Sequence, residues 1–168
     1  EKLQKTNRFP AYTKHKKDFW QYMCGIAGIL LQNSGHEKQG LTQKMCDAMS
    51  HRGPDADGFY HDNKVSLGHR RLSIIDLSTS ANQPFFDASG RYVIVFNGEM
   101  YNFQEVKNQL SDYPFKTSGD TEVLLAAFAK WGPAAISKLK GMFAFAIWDK
   151  QEEAFYICRD RMGVKPLY

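Results

Sequence analysis

Short apolar runs recur along most of the chain and predict β-strands. The runs are bounded by Gly, Asp, Asn or Pro, and apolar runs of this length between turn residues are typical of buried strands. The segments are GIAGILL (25–31), FYHDNKVSLGH (59–69), RLSIIDL (71–77), RYVIVF (91–96), MFAFAIWD (142–149) and EAFYICRD (153–160). A few polar residues separate the last two runs, which predicts a hairpin around Lys150–Glu152.

Other segments show the period of a helix. LTQKMCDAMS (41–50) predicts a helix with one apolar face, formed by Leu41, Met45, Ala48 and Met49. Asn102 and Glu105 have the spacing of a capping box ahead of a short helix. A longer helix is predicted from Asp120 to Gly132, and Pro133 suits the first turn of a third. Strands that arrive in pairs, with helices between them, predict an α+β layered domain with mostly antiparallel sheets.

Composition and charge exclude several classes of protein. The 168 residues suffice for one domain, 43% are hydrophobic and 24% charged, and no apolar run is long enough to span a membrane. The net charge of +4 comes from residues 1–22, with six basic and two acidic residues, because the remainder carries 16 of each. The sequence therefore predicts no nucleic-acid partner and no membrane partner for the body of the chain.

Residues 1–22 are interpreted as a leader outside the working domain. They show neither helical nor strand periodicity, and they lack the apolar region of a secretory signal. Translated upstream sequence before a true start at Met23 is the favoured interpretation, with a processed leader or a partner-binding arm as alternatives. The three cysteines share no CxxC spacing and the histidines no ligand spacing, so a reducing, cytoplasmic compartment and no metal site are predicted.

Cys24 directly follows Met23, and this pair suggests a nucleophile. An initiator methionine is readily removed when the next side chain is small, which would leave a thiol and a free α-amine on one residue. An α-amine with a pKa of about 7.7 to 8.0 accepts a proton at neutral pH, so one residue would supply both nucleophile and base. The alternative interpretation of Cys-Gly-Ile is a buried strand cysteine.

Three further positions carry candidate groups, each with an ordinary structural alternative. Asn97 and Gly98 follow an apolar strand and offer amide donors for an oxyanion, although Asn-Gly is also a common turn. Arg71 begins a predicted strand, where its guanidinium either captures a carboxylate or lies at the surface. Asp120 lies at a predicted helix start, where it either caps the helix or holds a substrate ammonium.

Taken together and in order, these motifs resemble one family. The motifs are CGIAGIL, HRGPDADG, GHRRLSIIDL, NQPF, NGEMYN, SGDTE, GMFAFAIWD and RDRMGVKPLY. They resemble the class II glutamine amidotransferase domain of glutamine-hydrolysing asparagine synthetases over residues 23–168. HRGPD and RLSIID are similar to that branch rather than to the glucosamine-phosphate synthase or phosphoribosyl-pyrophosphate amidotransferase branches.

The resemblance implies a fold, a reaction and a set of site residues. The fold would be the N-terminal nucleophile hydrolase type, a four-layer α/β/β/α sandwich of two antiparallel sheets. The reaction would hydrolyse L-glutamine to glutamate and ammonia through a Cys24 thioester, with no cofactor in this domain. The implied site consists of the nucleophile Cys24, the oxyanion-hole residues Asn97 and Gly98, the carboxylate ligand Arg71, the ammonium ligands Glu99 and Asp120, and the pocket-lining Leu72, Ile74 and Ile75.

The resemblance also implies partners outside these residues. RDRMGVKPLY (159–168) is rich in Arg, Gly and Pro, and this composition is interpreted as an exit toward a second domain. By the resemblance, an ATP- and magnesium-dependent synthetase domain or subunit would use the ammonia. The acceptor is left open, and a homodimer of the full-length protein is allowed. Because Cys24 is preceded by other residues, its nitrogen is an amide, and little or no glutaminase activity is expected without processing.

Two alternatives belong to other mechanistic classes. One is a noncatalytic glutamine-binding or regulatory module whose Cys24 amine stays blocked. The other is a cysteine hydrolase with His51 or His69 as the base.

Overall fold

The computed structural model describes residues 23–31, 37–73 and 78–168. The strands are β1 (Gly25–Leu30), β2 (Ala56–His61), β3 (Val65–Arg71), β4 (Phe85–Phe86), β5 (Tyr92–Met100), β6 (Gly141–Asp149) and β7 (Ala154–Arg159). The α-helices are α1 (Glu37–Ala48), α2 (Phe103–Lys107) and α3 (Asp120–Trp131), and short 3₁₀ helices span Thr79–Ala81 and Gly132–Lys138. The predicted leader, residues 1–22, lies outside the described residues.

The described strands form two antiparallel sheets with the orders β1-β3-β2 and β4-β5-β6-β7. Alternation along β5 explains why the sheets stack. Val93 and Val95 face the smaller sheet, where they pack against Val65 and Leu67 of β3. Residues on the opposite face of β5, such as Ile94, pack against α3. With α1 against the smaller sheet, the layers are α/β/β/α, as predicted.

The predicted apolar face of α1 is wrong. Leu41 and Met45 are largely exposed, and the buried residues of the helix are Lys38, Thr42 and Cys46. The helix lies so close to β3 that a β-carbon on Gly68 would stand 2.5 Å from the Cys46 sulfur. Small side chains therefore face the sheet, and the Thr42 hydroxyl accepts a hydrogen bond of 2.7 Å from a serine of β3.

Two other local predictions need correction. Arg71 ends β3 and does not begin a strand, since Leu72 and Ser73 lie outside any strand. Asn102 precedes α2 without a capping bond, because its side chain bridges two other backbone groups, accepting from Lys140 N at 2.9 Å and donating to Lys138 O at 3.0 Å.

The single run predicted over 59–69 is instead two strands, β2 and β3, joined by a turn at residues 62–64. Three other element predictions are confirmed. The hairpin of β6 and β7 turns at 150–153, α3 covers the predicted span, and Pro133 lies in the first turn of a 3₁₀ helix. Within the described ranges, no helix has both the length and the apolar character needed to cross a bilayer.

Candidate active site

A cavity of about 330 Å³ brings together the predicted site residues that the structure describes. Because β1 and β3 run antiparallel with Gly25 opposite Arg70, the residue before β1 lies beside the residues that end β3. The cavity is lined by Cys24, Arg71, Leu72, Asn97, Gly98, Glu99 and Asp120. Ile74 and Ile75, also predicted to line it, lie outside the described residues.

The Cys24 thiol is held by the backbone of Leu72. Leu72 N donates to Sγ at 3.3 Å, and Sγ lies 3.6 Å from Leu72 O. Burial raises the pKa of the thiol, while the Leu72 N–H and the cations Arg71 and Lys165 oppose the rise. The thiol is therefore fixed in place but is protonated at neutral pH unless a base takes its proton.

The HRGPD loop supports both Cys24 and the strand end that carries Arg71. The Arg52 Nε donates to Cys24 O at 3.4 Å. Asp55 N donates to Arg71 O at 3.0 Å, and Asp55 Oδ2 accepts from a neighbouring backbone N–H at 2.7 Å. Gly53 is required here because a β-carbon would stand 2.4 Å from the backbone of the adjacent strand. Sequence reasoning used the motif for the family resemblance and missed this supporting role.

Arg71 supplies a buried cation to the cavity. The residue is only 8% exposed, and its Nη1 donates to Ser78 O at 2.8 Å and to Asn82 Oδ1. These bonds fix the plane of the guanidinium at the cavity wall, and a planar guanidinium is suited to a carboxylate ligand. The predicted alternative of an exposed strand-edge arginine is wrong.

The N–H group of Gly98 points into the cavity. Phe96 N donates to Gln83 Oε1 at 2.6 Å. Four residues along β5, Met100 N donates to Asp120 Oδ2 at 2.8 Å. Alternate residues of a strand direct their N–H groups to the same side, so the N–H of Gly98 points the same way, between two groups that line the cavity.

Asn97 adjoins this N–H on the cavity wall. The residue is 5% exposed, and its side-chain amide makes no hydrogen bond to another described residue. Its predicted alternative as a turn residue is wrong, because Asn97 and Gly98 lie within β5 and pair with β6. Two amide donors are therefore available at one place in the cavity.

The carboxylates of Glu99 and Asp120 also line the cavity. Asp120 begins α3 and is 6% exposed, whereas Glu99 is exposed. Burial raises the pKa of Asp120, and the N–H groups of Met100, Asp120 and Thr121 oppose the rise. The N-cap is Gly119, so Asp120 is not the conventional capping residue that the sequence allowed.

The two candidate histidine bases differ in position. His51 is exposed and does not line the cavity, whereas His69 lines it and is 1% exposed. Neither ring nitrogen of His69 has a hydrogen-bond partner in the described part of the chain. Burial lowers the pKa of His69 to about 4, although the nearby Phe96 backbone partly opposes this decrease. Such an imidazole is a weak base at neutral pH.

Sequence reasoning missed Lys165 and Gln83, which also line the cavity. Lys165 lies near the end of the RDRMGVKPLY segment and is 3% exposed. Gln83 is 7% exposed and fixes β5 through the bond from Phe96 N. The sequence signal for each was its place in a family motif, NQPF for Gln83 and RDRMGVKPLY for Lys165. Residue type alone does not distinguish either of them from a surface residue.

A family model described as a glutamine amidotransferase domain matches residues 23–168. Asparagine synthetase [glutamine-hydrolyzing] 1 of Bacillus subtilis is 45% identical over 87% of this chain and 24% of the relative. Asparagine synthetase B [glutamine-hydrolyzing] of Escherichia coli is 38% identical over 87% of this chain and 26% of the relative. The chain thus spans about a quarter of the length of these curated relatives.

The fold also matches a solved structure. Glutamine phosphoribosylpyrophosphate amidotransferase of Bacillus subtilis superposes with a TM-score of 0.66 over 86% of this chain and 38% of that chain. The sequence identity is 23%, so this likeness concerns the fold. It confirms the predicted N-terminal nucleophile hydrolase architecture.

Proposed function

Because the chain belongs to the glutamine amidotransferase domain family, we propose that it hydrolyses the side-chain amide of L-glutamine to glutamate and ammonia. One observation carries the proposal. A single cavity joins a thiol, two amide donors that no described residue occupies, a buried guanidinium and two carboxylates. This set matches the groups of free glutamine: an amide to attack, a developing oxyanion, an α-carboxylate and an α-ammonium.

The charged ends of the substrate provide its recognition. The guanidinium of Arg71 binds the α-carboxylate, and Glu99 with Asp120 holds the α-ammonium. Leu72 lines the pocket and contacts the aliphatic part of the substrate. A simple amide lacks both charges and makes no charge-assisted hydrogen bond to Arg71, Glu99 or Asp120, so the site selects a free amino acid.

The reaction begins with attack of the Cys24 sulfur on the side-chain carbonyl carbon of glutamine. The α-amine of Cys24, once freed, takes the thiol proton and returns it to the leaving nitrogen, which departs as ammonia. The Asn97 amide and the Gly98 N–H stabilise the oxyanion. Water then attacks the glutamyl thioester, which releases glutamate and restores the thiol. The chain itself supplies every protein group used in these reaction steps, so the proposed reaction of this domain uses no cofactor.

The relatives suggest a use for the ammonia. Since the relatives are named asparagine synthetases and are about four times longer, we infer that a synthetase domain or subunit uses the ammonia, with ATP and magnesium bound there. The acceptor stays open, and a homodimer of the full-length protein is compatible with this arrangement. No nucleic acid or membrane is a proposed partner. A reducing cytoplasm is proposed because the reaction requires a free thiol, and the three cysteines are unpaired.

A second candidate is a noncatalytic glutamine-binding module. The observation that favours it is Met23, which precedes Cys24 and contacts Lys165 inside the cavity. In this form the Cys24 nitrogen is an amide and has no basic lone pair. The glutamine pocket would then serve sensing or structure.

One experiment separates these candidates. A specific protease site is placed directly before Cys24, so that the full chain folds first and is cleaved afterwards. Intact mass and N-terminal sequencing confirm the new terminus, and glutamate and ammonia are then measured with L-glutamine.

We expect equal amounts of both products after cleavage, almost none before it, and none from the cleaved Cys24→Ala chain. The Cys158→Ala chain, which alters a cysteine away from the cavity, is the matched control and should retain activity. Binding of glutamine without turnover by the cleaved chain would favour the noncatalytic module.

A further inference from the structure

The segment after β7 is organised around the carboxylate of Asp160. This residue is 5% exposed and accepts hydrogen bonds from four backbone N–H groups. The donors are Met162 and Val164 to Oδ1 at 3.1 and 2.9 Å, and Phe143 and Lys165 to Oδ2 at 3.2 and 2.9 Å. These bonds fasten the segment to β6 and fix its backbone.

The fixed backbone directs the Lys165 side chain into the candidate active site. Its carbonyl is also held, because Arg159 Nε donates to Lys165 O at 2.6 Å. The Lys165 Nζ lies 2.6 Å from the Sδ of Met23, the residue covalently joined to Cys24. Lys165 is 3% exposed and is in no ion pair with a carboxylate of the described chain. A buried ammonium without a paired carboxylate is costly, so its position beside the nucleophile calls for an explanation.

We propose that Lys165 is a further active-site residue, whose buried ammonium favours the thiolate of Cys24, and that Asp160 is the residue that positions it. A cation held near a thiol inside a poorly hydrated cavity stabilises the thiolate through Coulomb attraction. A contribution of Lys165 to glutamine hydrolysis rests on the function proposed above. Its electrostatic effect on the Cys24 thiol is independent of that function.

Other charged groups face the same region from each neighbouring element. Arg71 and His69 lie on β3, Arg52 lies in the loop after α1, Glu99 lies on β5, and Asp120 begins α3. Burial raises the pKa of Cys24, and Arg71 and Lys165 oppose the rise. Burial and Arg52 lower the pKa of Lys165, and Cys24, Glu99 and Asp160 oppose that change. Lys165 and Cys24 therefore stabilise each other's charged forms.

The test measures the Cys24 thiol directly in the full chain. Alkylation by iodoacetamide is followed against pH, with the Cys24 peptide quantified by mass spectrometry. Lys165→Met removes the charge and keeps most of the side-chain length. We expect it to slow alkylation of Cys24 at pH 7 about tenfold and to move the midpoint about one pH unit upward. Lys140→Met, at an exposed position, is the matched control and should leave the profile unchanged.

Two more variants separate charge from structure. Lys165→Arg keeps the cation and should retain the original profile. Asp160→Asn removes a negative charge, which by itself would favour the thiolate, so slower alkylation in this variant reports lost positioning of Lys165. Urea denaturation identifies the folded variants. If Lys165→Met does not fold, the pH profile of Cys24 alkylation in Lys165→Arg decides whether the proposal holds.

A folded Lys165→Met chain with the original profile, or a folded Lys165→Arg chain with an upward-shifted midpoint, would overturn the proposal. Alkylation needs no glutamine, so this result is independent of the glutaminase assay. An upward shift in Lys165→Met together with no hydrolysis by the cleaved chain would count against the proposed function and leave the role of Lys165 intact.

Discussion

Replacing Asn97 with alanine should slow glutamine hydrolysis with little effect on folding. The side chain is buried on the cavity wall and makes no hydrogen bond to another described residue, so its removal breaks no hydrogen bond within the described part of the chain. The Gly98 N–H remains, and the variant therefore loses one of the two proposed oxyanion donors. Loss of one such donor costs about 10² to 10³ in kcat, or about 2.7 to 4 kcal/mol of transition-state stabilisation. The KM for glutamine should stay close to its original value, because the oxyanion exists only after attack.

The assay is steady-state release of glutamate by the chain cleaved before Cys24. Asn102→Ala is the matched control, since this side chain makes two hydrogen bonds to backbone groups outside the cavity. It should lower the free energy of unfolding by about 1 to 3 kcal/mol and leave kcat unchanged. A kcat for Asn97→Ala within threefold of the original, or a loss confined to KM, would refute the assignment of an oxyanion donor.

Three other changes test the pocket and its supports. Glu99→Gln should raise the KM for glutamine about tenfold without altering the urea midpoint, whereas Glu105→Gln on α2 should change neither. Asp149 accepts two hydrogen bonds from Arg91, which lowers the pKa of the carboxyl below 3.8, so its stabilisation is present above that pH and is lost as the pH falls through the lowered pKa. Asp149→Asn should therefore reduce the free energy of unfolding by about 3 kcal/mol at pH 7, with a smaller difference at pH 3, measured by urea denaturation. Gly53→Ala should displace the HRGPD loop and lower both kcat and the thermal midpoint, and an unaltered kcat would contradict the supporting role.

The central strands were predictable because burial on both faces leaves a direct record in the sequence. Every residue of 93–96 in β5 and of 143–148 in β6 is apolar, because one face of these strands packs against the other sheet and the opposite face packs against α3. Such runs identify strands without any tertiary information. The short connection of 150–153 then specifies an antiparallel hairpin.

The orientation of α1 was not predictable from its apolar positions. The helix contacts the sheet at Gly68, where only small side chains fit, so Thr42 and Cys46 face inward and Leu41 and Met45 remain outside. Close packing outweighed hydrophobicity at this contact. A periodicity argument counts apolar residues and has no measure of how near two backbones approach.

The candidate site was predictable where its residues carry distinctive chemistry within a motif. Cys24, Arg71 and Asp120 were identified in this way, and the structure places all three on one cavity. Lys165 was not identified, because lysine near the end of a polar segment is usually solvated. Its role depends on the anchoring of the segment by Asp160, which sequence spacing alone does not express.

The meeting of Met23 with Lys165 also has a consequence for biosynthesis. These residues are 142 positions apart, and Cys24 and Leu72, which form another wall of the cavity, are 48 apart. Contacts across such separations require closure of long loops, and a nascent chain emerges with its N-terminal residues first. Cys24 therefore leaves the ribosome well before the residues that enclose it exist. The thiol acquires its reactive surroundings only when nearly the whole domain has been translated.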